Sequence, residues 1–167
     1  MPITRRDAAA LGLSILLPNL GGAIGAWFTS NSVNGWYRTL DKPEWNPPPW
    51  IFGPVWTALY ALMGTAAWLV YRADRTPSGA PASNDTKRAL AIYAAQLGLN
   101  AAWSPIFFGA RRIDLALAVI LSMLVAITAT IRSFYRVRPL AAALLLPYLA
   151  WTTFATALNT ALYLKNR

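Results

Sequence analysis

No cysteine and no histidine occurs among the 167 residues. Their absence excludes thiolate chemistry, disulfides and Cys/His metal sites. It also excludes the usual histidine acid–base catalysis and His or Cys ligation of haem. Charge is scarce as well: charged residues make up 13% of the chain, about half the ~25% of an average soluble domain. All six acids (Asp7, Asp41, Glu44, Asp74, Asp85 and Asp114) lie outside the long apolar blocks or at their ends. No block carries an Asp, Glu, Lys or Arg, the groups that proton relays, ion-coupled carriers and voltage sensors need. Paired carboxylates suited to hydrolysis are not evident either. The net charge of +9 does not signal nucleic acid, whose binders gather cations on one solvated face among exposed aromatics. Here the cations stand singly or in pairs between apolar blocks, as span ends that snorkel and set topology. Neither a metal site nor a nucleic-acid partner is expected.

What the chain has is apolar length. Five blocks lack charge for roughly 17 residues or more, about the minimum for a helix across a ~30 Å hydrocarbon layer. They run Ala8 to Phe28, Ile51 to Tyr71, Ala89 to Ala110, Leu115 to Ile131 and Leu140 to Leu164. Alternating ten-residue segments of the barrel type are missing, and backbone groups in lipid need internal partners. The expected fold is therefore all-α, an integral membrane bundle of five transmembrane helices. The spans fall at about 8–28, 51–71, 89–110, 114–133 and 140–164, in a single domain over 1–167. A Pro/Trp-rich loop occupies 29–50, and the connection from Arg72 to Arg88, with Thr76-Pro77-Ser78-Gly79-Ala80-Pro81, reads as flexible. Thr4-Arg5-Arg6-Asp7 before an apolar run resembles a twin-arginine or secretory signal. The block is longer than a usual signal core, so the mature chain is expected to keep all five spans. Counting cations gives 9 on the N-terminal side and 6 on the other, which favours a cytoplasmic N-terminus. The expected host is the cell membrane.

Within the spans, Gln96, Asn100, Trp103 and Phe107 share one face of the third helix by spacing. An amide facing lipid is costly, so Gln96, Asn100 and Asn159 should point inward. Two readings follow: interhelical hydrogen bonds with aromatic packing, or a cavity lined by indoles that suits a large, flat, apolar ligand. Trp56, Tyr60 and Met63 on the second span, and Tyr148, Trp151, Thr152, Ala155 and Asn159 on the fifth, extend either reading. Trp27, Trp50, Trp68 and Tyr71 lie near span ends and read as interfacial anchors. Four prolines between Pro43 and Pro49 exclude a helix or paired strand from the loop that begins at Trp36. That loop can hold a shape over the bundle mouth, with Arg38 or Lys42 placed to meet ligand carboxylates. Ala94, Gly98 and Ala102 form a small-residue face for close helix approach, inside one chain or in a homodimer. Gly21, Gly22 and Gly25, beside Pro18, serve close packing or relieve a kink.

Several linked stretches carry a resemblance: Lys42-Pro43-Glu44-Trp45-Asn46-Pro47-Pro48, Val55 to Gly64, Gln96 to Phe108, and Pro147 to Asn159. In order and spacing they resemble the tryptophan-rich sensory protein, or mitochondrial translocator protein, family, over nearly the whole chain. The resemblance implies a five-helix fold, often dimeric, that binds protoporphyrin IX and other tetrapyrroles, with no required cofactor. Some relatives bind cholesterol and synthetic ligands of the benzodiazepine type. Matching positions put the family's pocket on Trp36, Tyr37, Trp56, Asn100, Trp103, Trp151 and Ala155, with Gln96 added by its face. Thr160 follows Asn159 where animal relatives carry Tyr. Leu158, Tyr163 and Lys165 keep only the loose sterol pattern, so sterol or another lipid is a secondary partner class beside the bilayer itself.

Three functions fit these residues. One is a tetrapyrrole sensor, regulator or scavenger. Another is an enzyme of light-dependent porphyrin oxidation, in which Trp56 and Trp151 act as photochemical partners; no other catalytic residue is assigned. The last is a transporter of porphyrin or lipid, which the lack of intramembrane charge disfavours as an active carrier.

Overall fold

A computed structural model of the chain describes residues 4–33, 35–73 and 83–167. The predicted flexible stretch 76–81 lies outside the described residues. Every long element is a helix, and no strand occurs among the described residues. The elements are α1 (Arg5–Val33), a short α2 (Trp36–Thr39), a 3-10 turn (Pro49–Ile51), α3 (Phe52–Ala73), α4 (Asn84–Ser104), a π-helical turn (Pro105–Gly109), α5 (Ile113–Val137), a short α6 (Pro139–Ala143) and α7 (Leu146–Lys165).

Among the described residues, four helical stretches are long and apolar enough to cross a membrane: Arg5–Ser30, Pro49–Ala73, Ile113–Val137 and Pro139–Lys165. The predicted span 89–110 falls on α4 and the π turn. α4 has 21 residues, but its first turns hold Asp85, Lys87 and Arg88 and its body holds Gln96 and Asn100. It is the least apolar of the long helices for that reason.

Local chemistry sets the helix ends. Thr4 and Asp7 cap α1 reciprocally: Asp7 N donates to Thr4 Oγ1 at 3.2 Å, while Thr4 N and Oγ1 donate to Asp7 Oδ2 at 3.0 and 2.8 Å. The Ser83 hydroxyl accepts from Thr86 N at the start of α4. Pro105 has no N–H to continue α4, and the chain passes into the π turn, where Ala110 N reaches back to Pro105 O at 2.8 Å. Arg111 then takes a left-handed conformation, φ 56°, which re-aims the backbone into α5.

Glycines fix how closely the helices approach. A Cβ on Gly64 would meet the backbone of Ser14 and lie 2.7 Å from Ile15 Cα, so α1 and α3 cross there nearly backbone to backbone. A Cβ on Gly22 would strike the Tyr60 ring, and one on Gly25 would lie 3.1 Å from Ser104 Oγ. The predicted close packing at the α1 glycines thus falls against both α3 and α4. The outer side of α1 bears Leu16, Leu17, Leu20, Ile24 and Trp27, each more than half exposed, as a helix facing lipid requires.

The main core joins α3, α4, α5, α6 and α7 around Met63, Val70, Met123, Ile127, Phe134, Leu145 and Tyr148. A second cluster near the loop joins the π turn, the start of α5 and the end of α7 through Phe107, Ile113, Ala116, Leu158 and Leu162.

Four expectations need correction. The loop predicted at 29–50 begins later, because α1 continues to Val33. It also contains helical turns, at Trp36–Thr39 before the first proline and at Pro49–Ile51, where Pro opens the turn without losing a needed donor. The last span is broken near Leu144–Leu145, ahead of Pro147, into α6 and α7. Trp68 is no interfacial anchor: it is 7% exposed and its indole N–H donates to Asp7 O at 2.9 Å. Trp27 and Trp50, by contrast, are 63% and 73% exposed.

Candidate functional site

The helices enclose a cavity of about 570 Å³ toward the loop end of the bundle. α1 offers it a face of small residues, Asn19 to Ser30, in which Gly21, Gly22 and Gly25 keep the helix backbone close to the space. α3 contributes Trp56 and Tyr60, α4 contributes Asn100 and Trp103, α5 contributes Ile120 and Met123, and α7 contributes Trp151, Thr152 and Ala155. The π turn adds Phe107 and Phe108, and the loop adds Tyr37, Pro47 and Pro49. No Asp, Glu, Lys or Arg is among the lining residues described.

Aromatic contacts order the walls. Trp56 stacks on Tyr60, with centroids 5.3 Å apart and planes 28° apart, and meets Tyr148 edge-on at 6.2 Å. Trp103 stacks on Phe107 at 4.9 Å and 19°. Trp151 lies between Phe52 at 5.9 Å and Phe154 at 5.4 Å. Such pairs add roughly 0.5–1.5 kcal/mol each beyond their buried area, so the indoles are held in place by their neighbours.

Behind one wall lies a buried polar hub. The Tyr60 hydroxyl donates to Asn100 Oδ1 at 2.9 Å. Asn100 Nδ2 donates to the Tyr148 hydroxyl at 3.0 Å and reaches Met123 Sδ at 3.8 Å. Gln96 Nε2 donates to the same Tyr148 hydroxyl, which donates onward to Met123 Sδ at 3.1 Å. Near the loop, Trp103 Nε1 donates to Asn159 Oδ1 and Asn159 Nδ2 to Ile113 O, both at 3.2 Å. The inward turn expected of all three amides is what the structure has: Gln96, Asn100 and Asn159 are 1%, 7% and 1% exposed. The Trp151 indole N–H differs, being buried with no hydrogen-bond partner.

The loop is held at both ends of its course. Tyr37 donates to Asn46 Oδ1 at 2.9 Å. Burial raises the pKa of this hydroxyl above the ordinary phenol value, and the Asn46 bond pulls it part of the way back, so Tyr37 remains a neutral donor. At the end of α7, Asn166 pairs with the backbone of Asp41 in both directions: Asp41 N donates to Oδ1 at 2.9 Å and Nδ2 donates to Asp41 O at 3.0 Å.

A model of the TspO/MBR family matches residues 14–164. The chain belongs to the TspO/MBR family. It is 42% identical to the human translocator protein over 160 residues, covering 94% of this chain and 89% of that protein. It is 46% identical to the tryptophan-rich sensory protein of Cereibacter sphaeroides over 140 residues, 82% of each chain. It is 40% identical to the tryptophan-rich protein TspO of Archaeoglobus fulgidus over 153 residues, 92% of this chain and 94% of that one. Family membership and the four apolar helices make it a multi-pass membrane protein.

Of the residues expected in the TspO/MBR pocket, six line the cavity together: Tyr37, Trp56, Asn100, Trp103, Trp151 and Ala155. Two do not. Gln96 sits behind the wall and spends its amide on Tyr148. Trp36 is not on the wall and packs edge-on against Phe107 at 5.7 Å. Arg38 and Lys42 are not on the wall either, and Lys42 Nζ is taken up by Leu40 O at 3.0 Å, Arg38 O at 3.3 Å and the face of Tyr37. Ala94 and Gly98 are exposed and Ala102 half-buried. Nothing lies within 4 Å of a Cβ on Gly98, so that position packs against no other helix of its own chain. Sequence reasoning passed over Asn19 and Met123. An amide on a lipid-facing helix was the available signal for Asn19; nothing marked the Met123 sulfur.

Proposed function

We propose that this protein binds a tetrapyrrole of the protoporphyrin IX type in its cavity and acts as a membrane sensor, regulator or scavenger. The observation that carries the reading is the wall itself: three indoles, Trp56, Trp103 and Trp151, around about 570 Å³. Pockets of roughly 300–1,000 Å³ with apolar walls and a few placed polar groups are the usual size for such ligands. The relatives' names, which speak of sensing and of translocation, agree with a ligand-binding role. In the same proposal α4 is the third of five spans. Its 21 residues reach roughly 30 Å at 1.5 Å per residue, and its amides face inward. The host is the cell membrane, and the outward face of Ala94, Gly98 and Ala102 joins two copies as a homodimer. A sterol or other lipid is a secondary ligand class.

Titration of purified protein with protoporphyrin IX in the dark tests the main reading. Saturable tryptophan quenching at one ligand per chain is expected, and its absence overturns the proposal. A second reading, light-dependent oxidation of the porphyrin with dioxygen as the oxidant, is favoured by the stacking of Trp56 on Tyr60, which places an electron-rich pair at the wall to exchange an electron with the excited macrocycle. Under illumination that reading requires new absorbing products that disappear in Trp56→Phe or Trp151→Phe while dark binding stays near wild type. A porphyrin that survives light unchanged leaves binding alone.

A further inference from the structure

The cavity wall is not equally closed on every side. α1 and α3 meet at two levels, Gly64 against Ser14 and Ile15, and Gly22 against Tyr60. From there α1 leans toward α4: Gly25 faces Ser104, and a Cβ on Gly109 would lie 3.0 Å from the Phe28 ring. A wedge is left between the C-terminal half of α1 and the first turns of α3. Its edges are Ala23, Ala26 and Ser30 on α1 and Gly53 and Thr57 on α3. All five line the cavity, and all five are exposed. Nothing lies within 4 Å of a Cβ on Gly53. These edges are made of small residues, whereas the rest of the outer side of α1 carries Leu, Ile and Trp.

We propose that this wedge is a lateral doorway through which the cavity exchanges flat, membrane-dissolved amphiphiles with the bilayer. The inference rests on the reading of the cavity as a ligand site and names the route and class of its ligand. Trp50, 73% exposed, marks the interface. Thr57 lies about 10 Å further along the helix at 1.5 Å per residue, so the doorway runs from the interface into the upper acyl chains. Both hydroxyls at its edges are spent on their own helices, Thr57 Oγ1 on Gly53 O at 2.9 Å and Ser30 Oγ on Trp27 O at 3.0 Å. The doorway therefore presents apolar surface to what passes. The alternative route, from water through the loop, is covered by Tyr37, Pro47 and Pro49 and held by the Asn166–Asp41 pairing. A ligand that partitions into the membrane meets the open side first.

The chain has no native cysteine, so one introduced thiol is unique. Thr57→Cys carrying a bimane label, reconstituted in phosphatidylcholine vesicles, should be quenched by lipids brominated on the acyl chain and not by aqueous iodide. Ser30→Cys serves as the second position if the first variant does not fold. In the same vesicles, Ala26→Cys blocked with a bulky maleimide should slow both association and dissociation of protoporphyrin IX by about tenfold, because a gate alters both rates together. The bulky adduct at the outward Val125→Cys on α5, 72% exposed and away from the wedge, should leave the rates unchanged. Quenching by iodide without quenching by bromolipid, or unchanged rates with the bulky Ala26→Cys adduct, overturns the doorway. Failure of wild-type protein to bind protoporphyrin IX overturns the porphyrin reading alone, and the bimane measurement still decides on the doorway.

Discussion

Replacing Tyr148 by Phe removes a single oxygen at the centre of the polar hub and keeps the ring. That oxygen accepts from Gln96 Nε2 and from Asn100 Nδ2 and donates to Met123 Sδ. Tyr148 is 0% exposed and Gln96 1% exposed, so water cannot replace what is lost. Gln96 then keeps a buried, unpaired N–H, which costs about 1–3 kcal/mol. Asn100 retains the weaker sulfur contact at 3.8 Å and loses less. Interhelical bonds in lipid measure lower than in water, about 0.6 kcal/mol on average and about 1.7 at most, which sets the lower end of the range. A destabilisation of roughly 0.6–3 kcal/mol is expected, read from unfolding by denaturing detergent in mixed micelles. The double variant Gln96→Leu/Tyr148→Phe removes donor and acceptor together and should cost less than the sum of the two single changes, because no polar group is left stranded. A single Tyr148→Phe variant as stable as wild type, or a double variant worse than additive, would refute the assignment of Tyr148 as the hub.

Gly64→Ala should destabilise by about 1–3 kcal/mol, because its methyl meets the α1 backbone rather than a side chain that can turn aside; detergent unfolding checks this against Gly98→Ala, which meets open space. Gly98→Leu should leave stability within about 0.5 kcal/mol but raise the monomer fraction in detergent, and an unchanged dimer moves the interface elsewhere. Asn166→Ala should free the loop at Asp41, seen as faster amide hydrogen exchange over residues 41–46 with little change in unfolding. With no histidine in the chain and no acid, lysine or arginine among the described lining residues, binding of an uncharged porphyrin ester should be flat between about pH 5 and 8; a titration step in that window would show an ionisable group at the wall.

Much of the site was legible because cost in lipid is one-sided. An amide must turn inward, so Gln96, Asn100 and Asn159 could be oriented from the sequence alone. Which amides would also touch the cavity could not, since Gln96 and Asn100 differ by one helical turn and both bond the Tyr148 hydroxyl, yet only Asn100 lines the space. Aromatics were harder. Trp68 and Trp50 both sit at helix ends, yet one is inside and the other out, because the Trp68 indole packs against the first turn of α1 and donates to Asp7 O, while Trp50 meets no such neighbour among the described residues. Trp36 and Tyr37 are neighbours in sequence and both pack edge-on against Phe107, yet only Tyr37 reaches the cavity wall. The break between α6 and α7 arises in an unbroken apolar run, where hydropathy carries no mark and only Pro147 hints at it.

The clamps on α1 also bear on the order in which the protein is made. The indole of Trp68 that meets Asp7, the Gly64 surface that receives Ser14, and the Tyr60 ring beside Gly22 all belong to α3. At synthesis rates of about 5–20 residues per second, α3 leaves the ribosome a few seconds after α1. For that interval α1 lacks its α3 partner, with its glycine face and Asn19 uncovered. Any insertion factor or chaperone that attends this chain meets its first helix in that state.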